Sequence, residues 1–325
     1  MLVARPGEGA TLERAEIERL LGRSPRITVE NILDHPQLAQ ARRAYLDSFL
    51  KVYDGDPFLI RLLIESGRFL VYYIILLLES AYDPARRETW PTVGLVKETM
   101  AAFGLGRASD RHIDHLLGRL CTAGCLESHP SEHDRRVRIL TTGERLRQHD
   151  RDWLVANYTP LALLYPDHDY SSVLQRDPEF QVMHRRASIP FMGLGATLMA
   201  EIPDVMMFFD HAAGPVVVSA LLQAAIAQGD AASAVVSYAE VGDRFGVSRT
   251  HVRQLLGAAE ERGLLKLHAR GGRRVELLPR MWAGHDAGMA RGMYFHDILY
   301  LAATAGSGAV KRLPHNLSPS ITTSL

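Results

Sequence analysis

This sequence has few cysteines, no excess of positive or negative charge and few long apolar runs. Two cysteines among 325 residues are too few for the disulfide framework of a small secreted protein. Lysine plus arginine number 37, as do aspartate plus glutamate, so a nucleic-acid surface would have to be a local patch. The longest apolar run, residues 69–78, is about half the length of a membrane-spanning helix. Because the N-terminus also lacks the apolar core of a signal peptide, we expect a soluble cytoplasmic protein without a membrane partner.

Catalytic and cofactor motifs are missing as well. The chain contains no P-loop, dinucleotide glycine fingerprint, HExxH or GxSxG sequence. An enzyme on a helical scaffold is therefore the weakest of three functional classes considered, and no cofactor is predicted.

Cys121, Cys125, His129 and His133 stand at four-residue intervals, which suggests a zinc site. Zinc needs ligands that converge tetrahedrally, and Pro130 prevents one helix from carrying all four. We therefore predict no metal site. Since no neighbouring feature lowers the pKa of either thiol, both cysteines are interpreted as structural.

The chain repeats one pattern of residues at long range, which indicates an internal duplication. Arg42-Arg43-Ala44 recurs as Arg185-Arg186-Ala187, and the apolar residues 69–78 recur as residues 216–225. The strongest match has a constant offset: Ser109-x-x-His112, Leu116-Leu117-Gly118 and Gly124 recur as Ser248-x-x-His251, Leu255-Leu256-Gly257 and Gly263.

The second copy predicts two helices followed by a β-hairpin. Residues 238–245 form a short helix with Ala239, Val241 or Gly242, and Phe245 inward, and Gly246 permits the left-handed turn that ends it. Ser248 is a suitable N-cap for the next helix, whose buried face has helical spacing: Val252, Leu255, Leu256 and Ala259. Strands flank a basic glycine tip at residues 268–274. This order is that of a winged helix-turn-helix.

The first copy follows the same plan, with helices at residues 95–103 and 109–122 and a hairpin at 127–140. Its apolar helix, its helix-turn-helix and its wing Asp134-Arg135-Arg136 ending in Leu140-Thr141 resemble the multiple-antibiotic-resistance regulator (MarR) family. The resemblance covers residues 60–150 and, more weakly, 205–285, where the wing lacks Asp-Arg-Arg. The predicted fold is thus mainly α-helical with small β-hairpin wings: two winged helix-turn-helix units joined by long helices.

The outer faces of the second helices are the predicted double-stranded DNA contacts, because arginine can pair with guanine and glutamine with adenine in the major groove. Residues 237–280 hold nine Lys/Arg against five Asp/Glu. In the second copy the predicted contacts are Ser248, Arg249, Thr250, Arg253 and Gln254, with Arg270, Arg273 and Arg274 on the wing. In the first copy they are Arg107, Arg111, His115 and Arg119, with Arg135, Arg136 and Arg138 on the wing, although Asp110 and Asp114 could also repel phosphate.

A fused pair of units predicts a pseudo-dimer in one chain that binds an asymmetric operator. The predicted domains are an N-terminal helical extension (1–30), the first repeat (31–155), the second repeat (156–305) and a mobile tail (306–325). Residues 34–65 and 177–209 supply the joining helices. Further dimerisation through helices at residues 12–21 or 289–303 would make a homodimer rather than a monomer.

Two alternatives remain open at this stage. The family resemblance implies a small, often aromatic, effector, for which Phe69, Tyr72, Tyr73 and Trp90 are candidate contacts, although such rings are more often core. Winged helices also serve as protein–protein interaction modules that never touch DNA, and this is the alternative function.

Overall fold

The computed structural model describes residues 14–54, 60, 63–64, 66–102, 109–268 and 274–305. The fold is mainly helical, with two small antiparallel sheets. This confirms the predicted class of a mainly α-helical protein with small β-hairpins. The predicted tail, residues 306–325, and residues 1–13 lie outside the described part of the chain.

The first half consists of helices around one hairpin. Its elements are α1 (Arg14–Leu21), α2 (Val29–Leu33), α3 (Leu38–Tyr53), α4 (Ser66–Ser80), a 3₁₀ turn (Arg87–Thr89), α5 (Val93–Ala102), α6 (Asp110–Thr122), β1 (Leu126–Pro130), β2 (Arg138–Thr142) and α7 (Glu144–Leu164). Strands β1 and β2 pair antiparallel, with Leu126 opposite Thr142. Helix α7 continues across the predicted junction between residues 155 and 156.

The second half consists of helices around a three-stranded sheet. Its elements are α8 (Ser171–Leu174), α9 (Pro178–Ser188), a 3₁₀ turn (Ile189–Phe191), α10 (Met192–Ala200), α11 (Pro203–Phe209), α12 (Gly214–Ala227), β3 (Ser233–Val235), α13 (Tyr238–Phe245), α14 (Arg249–Glu261), β4 (Leu265–Leu267), β5 (Arg274–Leu277) and α15 (Pro279–Thr304). The sheet order is β3-β5-β4, all antiparallel.

Local chemistry explains where several of these helices begin. Asp177 caps α9 by accepting from the backbone N–H groups of Glu179 and Phe180, and Pro178 occupies the first turn, where proline's missing N–H costs nothing. The last long helix was predicted at residues 289–303, but it begins ten residues earlier at Pro279, directly after β5. Proline again suits that first turn, so the sequence signal for this start was present.

Buried side chains form separate cores under each hairpin and between the long helices. One core lies among α4, α5, α6 and the β1–β2 hairpin. A second unites α12, α13, α14 and the three-stranded sheet with the C-terminal half of α3. A third joins α1, α2, α7, α8, α9 and α15. We call residues 66–142 the first unit and residues 214–277 the second unit.

The long helices pack reciprocally across the two halves. Helix α3 of the first half packs on α12 of the second unit, and α9 of the second half packs on α4 of the first unit. Likewise α2 contacts α15 while α8 contacts α7, and α7 and α15 contact each other. Helices of each half therefore pack on the helical core of the other half.

Two arginine–aspartate pairs at matching places hold the halves together. Arg42 on α3 donates through Nε and Nη2 to the two carboxylate oxygens of Asp286 on α15, at 2.6 and 2.5 Å. Arg185 on α9 makes the corresponding bidentate pair with Asp150 on α7, with Nε–Oδ2 at 3.0 Å. Each guanidinium also lies near an indole, Trp282 for Arg42 and Trp153 for Arg185.

In the described part of the chain, no single helix is both long and apolar enough to cross a bilayer. The helices at Pro178–Ala200 and Pro203–Phe209 reach that length and composition only as a pair bent by 105°.

Candidate nucleic-acid interface

The second unit presents α14 on a tightly built turn. Gly246 has φ +69° and ends α13, and Ser248 then caps α14 by accepting from the backbone N–H of His251 at 3.1 Å. A Cβ on Gly242 would lie 2.6 Å from the carbonyl oxygen of Val247, so only glycine allows α13 to approach the turn this closely. Ala239 was predicted to point inward but is exposed, and Tyr238 is buried in its place.

One face of α14 is buried and the opposite face is open to solvent. The predicted stripe is confirmed, because Val252, Leu255, Leu256 and Ala259 are at most 1% exposed. All five predicted contacts on this helix are exposed: Ser248, Arg249, Thr250, Arg253 and Gln254. Neither Arg249 nor Arg253 forms an ion pair with any described residue, so both guanidinium groups are available to an external partner.

A side-chain contact joins the start of α14 to the segment just before the second unit. The ring Nε2 of His251 lies 2.7 Å from the carbonyl oxygen of Ala212, in the turn that leads into α12. Because a carbonyl oxygen only accepts, this nitrogen carries a proton and donates. The helix that displays the arginines is therefore tied to the turn that precedes α12.

The first unit has the same framework with a different surface charge. Ser109 caps α6, and the buried stripe contains Ile113, Leu116, Leu117 and Leu120. These four stand at the same helix positions as the buried residues of α14. Gly124 and Gly263, which also match, end the two helices with φ +67° and +69°.

The exposed residues of α6 reverse the charge of α14 at two positions. Asp110 and Asp114 stand where the second unit has Arg249 and Arg253, while the predicted contacts Arg111 and His115 are exposed beside them. Lys97 on α5 pairs with Asp114 at 2.8 Å and with Asp110 at 3.9 Å. The sequence pattern gave no sign of this lysine, because its role depends on how α5 crosses α6. The α6 face is thus close to neutral, whereas the α14 face is cationic.

The first hairpin, predicted to be a wing, also carries basic residues. Arg135 and Arg136 are exposed at the tip of the first hairpin, where Asp134 accepts from the backbone N–H of Arg136 at 3.1 Å and pairs with Arg87 at 3.3 Å. Arg138 is exposed but donates through Nε to Ser128 within the hairpin at 3.0 Å.

Of the five remaining predicted contacts, the structure describes two. Arg119 is half-buried on α6, and Arg274 is exposed at the start of β5. Arg107, Arg270 and Arg273 lie outside the described residues.

The four candidate effector contacts fall in two places. On α4 the Phe69 ring contacts both Tyr72 and Tyr73, with ring centroids 5.1 and 5.9 Å apart. Tyr72 and Tyr73 are 0% and 7% exposed. Trp90 lies apart from them, near His133 and Arg87. The structure thus groups three of these rings within the protein's own packing and leaves their role toward a ligand a prediction.

Within the described residues, no group of three or more His, Cys, Asp or Glu side chains is placed to hold a metal ion. Cys125 is fully buried. Partial burial raises the pKa of the Cys121 thiol, opposed in part by the charge of Arg138.

Comparisons of the chain with protein-family models, with curated proteins and with solved structures find no match.

Proposed function

We propose that this protein is a sequence-specific DNA-binding transcription regulator in the cytoplasm, built as a pseudo-dimer from two winged helix-turn-helix units that arose by duplication and resemble the MarR family. The observation that carries the proposal is the open face of α14. There, Arg249 and Arg253 are exposed and unpaired within the described chain, one helical turn apart, opposite a fully buried stripe.

The geometry of α14 suits the major groove. A recognition helix inserts its N-terminal half and reads base edges with the side chains of its outer face. Arg249 and Arg253 can each form a bidentate pair with a guanine, and Gln254 with an adenine. The exposed wing residue Arg274 suits a phosphate contact, which positions the protein without reading sequence.

The duplication is supported by three independent features of the described residues. The order of helices and hairpin recurs, the buried positions of α6 and α14 coincide, and the cross-half contacts α3–α12 and α9–α4 are reciprocal. Because DNA has local two-fold symmetry, a two-fold pair of reading helices suits a site with two half-sites. The charge reversal between α6 and α14 predicts that these half-sites differ.

The alternative is a winged-helix module that docks a protein. The observation that favours it is the α6 face, where Asp110 and Asp114 would approach DNA phosphates unfavourably. This alternative requires no contact between α14 and DNA.

Selection of binding sites from a random duplex pool at two salt concentrations, followed by footprinting of the winner, tests the proposal. We expect an enriched, asymmetric site of about two helical turns, and affinity that falls steeply with salt because phosphate contacts release counterions. A symmetric footprint would contradict the unequal roles of α6 and α14. Lack of enrichment, with weak binding that salt does not change, would favour the docking module.

A further inference from the structure

Helix α9 presents a pair of large apolar side chains to solvent. Val182 and Met183 are 47% and 48% exposed. Among the described residues, the only other large apolar side chain in this exposed class is Val235 on β3. Single exposed apolar residues are common, whereas apolar residues grouped on one face of an element mark interaction surfaces. None of the predicted DNA contacts lies on α9, so this patch is a separate feature of the molecule.

The packing of α9 fixes the direction in which this patch faces. Phe180 and Ala187, on the opposite side of the helix, are buried in the core that α9 shares with α7 and α15. Arg185 is held by its bidentate pair with Asp150. The helix cannot rotate to bury Val182 and Met183 without breaking these contacts, so their exposure is a consequence of the fold.

Two opposite charges flank the patch on the same side of the helix. Glu179 and Arg186 are both exposed, and a spacing of seven residues, about two turns, places them on one face with Val182 and Met183 between them. Neither side chain forms an ion pair with a described residue. Arg186 donates through Nε to the carbonyl oxygen of Ser80 at 2.6 Å, which leaves its terminal nitrogens for another acceptor. The outer face of α9 thus reads acid, two apolar residues, base.

This order of charges is complementary to itself when two copies of the helix run in opposite directions. If a two-fold axis passes between Val182 and Met183, each of these residues faces the other residue of the second copy. Glu179 of each copy then faces Arg186 of the other, so no like charges meet and two charge-assisted pairs close the contact. Because both members of every pair are already present on this chain, the partner that the patch fits is a second copy of the chain.

Helix α3 shows that the apolar pair is not required where a helix of this kind meets water. Ala39 and Gln40 precede Arg42-Arg43-Ala44 at the spacing at which Val182 and Met183 precede Arg185-Arg186-Ala187. Ala39 and Gln40 are exposed as well. The apolar pair is therefore specific to α9, and residues 39–40 supply a water-compatible replacement for it.

We propose that two copies of this chain associate through the outer faces of their α9 helices, antiparallel, with Val182 and Met183 at the centre and a Glu179–Arg186 pair on each side. An isologous contact of this kind closes at two copies. The helix at residues 289–303, predicted as one possible dimer contact, is mostly buried inside the chain. Since the α9 contact is small, we expect reversible association in the micromolar range. A dimer brings two α14 helices into one particle; that consequence rests on the proposed DNA-binding function, whereas the association does not.

Sedimentation equilibrium of the full chain without DNA, over a series of concentrations, tests the contact. We expect the wild-type chain to show a monomer–dimer equilibrium. Val182→Ala/Met183→Gln, which copies residues 39–40, should weaken association at least about tenfold because four apolar side chains leave the dimer contact. The control Val235→Ala removes an exposed apolar side chain from β3 and should leave the dissociation constant unchanged.

Charge reversal tests the antiparallel pairing. Glu179→Arg brings arginine against arginine and Arg186→Glu brings glutamate against glutamate, so each should weaken self-association about tenfold. Mixed in equal amounts, the two variants should associate with each other more tightly than either does with itself, because each supplies the charge that the other lacks. Because Glu179 is exposed and has no ion pair in the described chain, Glu179→Arg tests the contact even if Arg186→Glu destabilises the fold.

The proposal is overturned if the wild-type chain stays monomeric, if Val182→Ala/Met183→Gln dimerises like wild type, or if the mixed charge variants associate no more tightly than each alone. A monomeric chain that co-sediments with phosphatidylcholine vesicles would assign the patch to a lipid surface instead. Dimerisation through α9 by a chain that binds no duplex would refute the regulator and leave this contact intact.

Discussion

Arg185 of α9 and Asp150 of α7 form an ion pair between the two halves in which the side chains are 2% and 0% exposed. The related pair, Arg42 and Asp286, is more accessible, at 20% and 13%. Both pairs join a helix of one half to the long helix that follows the hairpin of the other half. The interface between the two halves therefore contains one fully buried and one partly exposed ion pair.

Asp150→Asn should destabilise the protein strongly, because it leaves the Arg185 guanidinium buried without a counter-charge. Breaking a buried pair on one side costs about 3–5 kcal/mol. Urea unfolding measures the loss, and Asp286→Asn is the matched control, expected to lose clearly less because Arg42 retains access to water. Equal losses in the two variants would show that burial of the pair does not set its contribution.

Replacing Gly242 by alanine should destabilise the protein, which is the opposite of the usual effect of this exchange in a helix. Alanine normally stabilises a helix relative to glycine by about 0.5–1 kcal/mol. At Gly242 the new Cβ would meet the backbone oxygen of Val247 at 2.6 Å, so Gly242→Ala should lower the free energy of unfolding. Gly257→Ala in α14, where a Cβ meets nothing within 4 Å, should raise it. Thermal unfolding of both variants measures the two changes in stability. Stabilisation by Gly242→Ala would contradict the close approach of α13 to the turn.

Two buried histidines predict a loss of stability toward acid. Burial lowers the pKa of His296 to about 3, with a further contribution from the charge of Arg185. Burial also lowers the pKa of His184 well below its usual value. The Tyr158 hydroxyl donates to the carbonyl oxygen of His296 at 2.6 Å, so His184 Nε2, 2.8 Å from the same hydroxyl, donates in turn.

The direction of the pH effect on stability follows from which state of the chain takes up protons. Below pH 6.5 the unfolded chain protonates these rings while the folded chain does not, so stability is complete above that pH and falls as pH falls. Each histidine contributes about 1.4 kcal/mol per pH unit well below pH 6.5. Urea unfolding between pH 7 and 5 should show a smaller slope for His296→Phe than for wild type. Parallel slopes would mean that His296 is protonated in the folded protein.

The acidic face of α6 gives a prediction about DNA. Asp110→Asn/Asp114→Asn should strengthen binding to any duplex and steepen its salt dependence, because the first unit then offers Lys97 and Arg111 without opposing charge. Lys97→Ala should act in the opposite direction. Fluorescence anisotropy at two salt concentrations measures both effects. Unchanged affinity in both variants would place α6 away from the DNA.

Local signals in the sequence were sufficient for the helix-hairpin units. The apolar spacing of α14, the Ser248 cap and the glycine at 246 each depend on neighbouring residues, so periodicity and turn chemistry reveal them. The repeat extended the same reasoning to α6. The prediction that Ala239 points inward was wrong, because a helix of two turns has too few apolar positions to define its buried face. Tyr238 is buried instead.

Contacts between segments that are distant in sequence could not be predicted from such local patterns. The pair of Arg185 with Asp150 and the role of Lys97 both depend on how helices cross in three dimensions. The two Arg-Arg-Ala segments, residues 42–44 and 185–187, were visible in the sequence. Their meaning required knowing which helix faces which.

The most direct test of the central claim is the affinity of Arg249→Ala/Arg253→Ala for the selected operator and for a scrambled duplex of equal length, measured by fluorescence anisotropy. Each lost arginine–guanine pair costs about 1–3 kcal/mol of discrimination, so the double variant should lose at least about thirtyfold in operator affinity and much less on the scrambled duplex. The control Arg14→Ala/Arg19→Ala removes the same charge from the exposed face of α1 and should keep the preference for the operator. If the two double variants behaved alike, α14 would not be the helix that reads DNA.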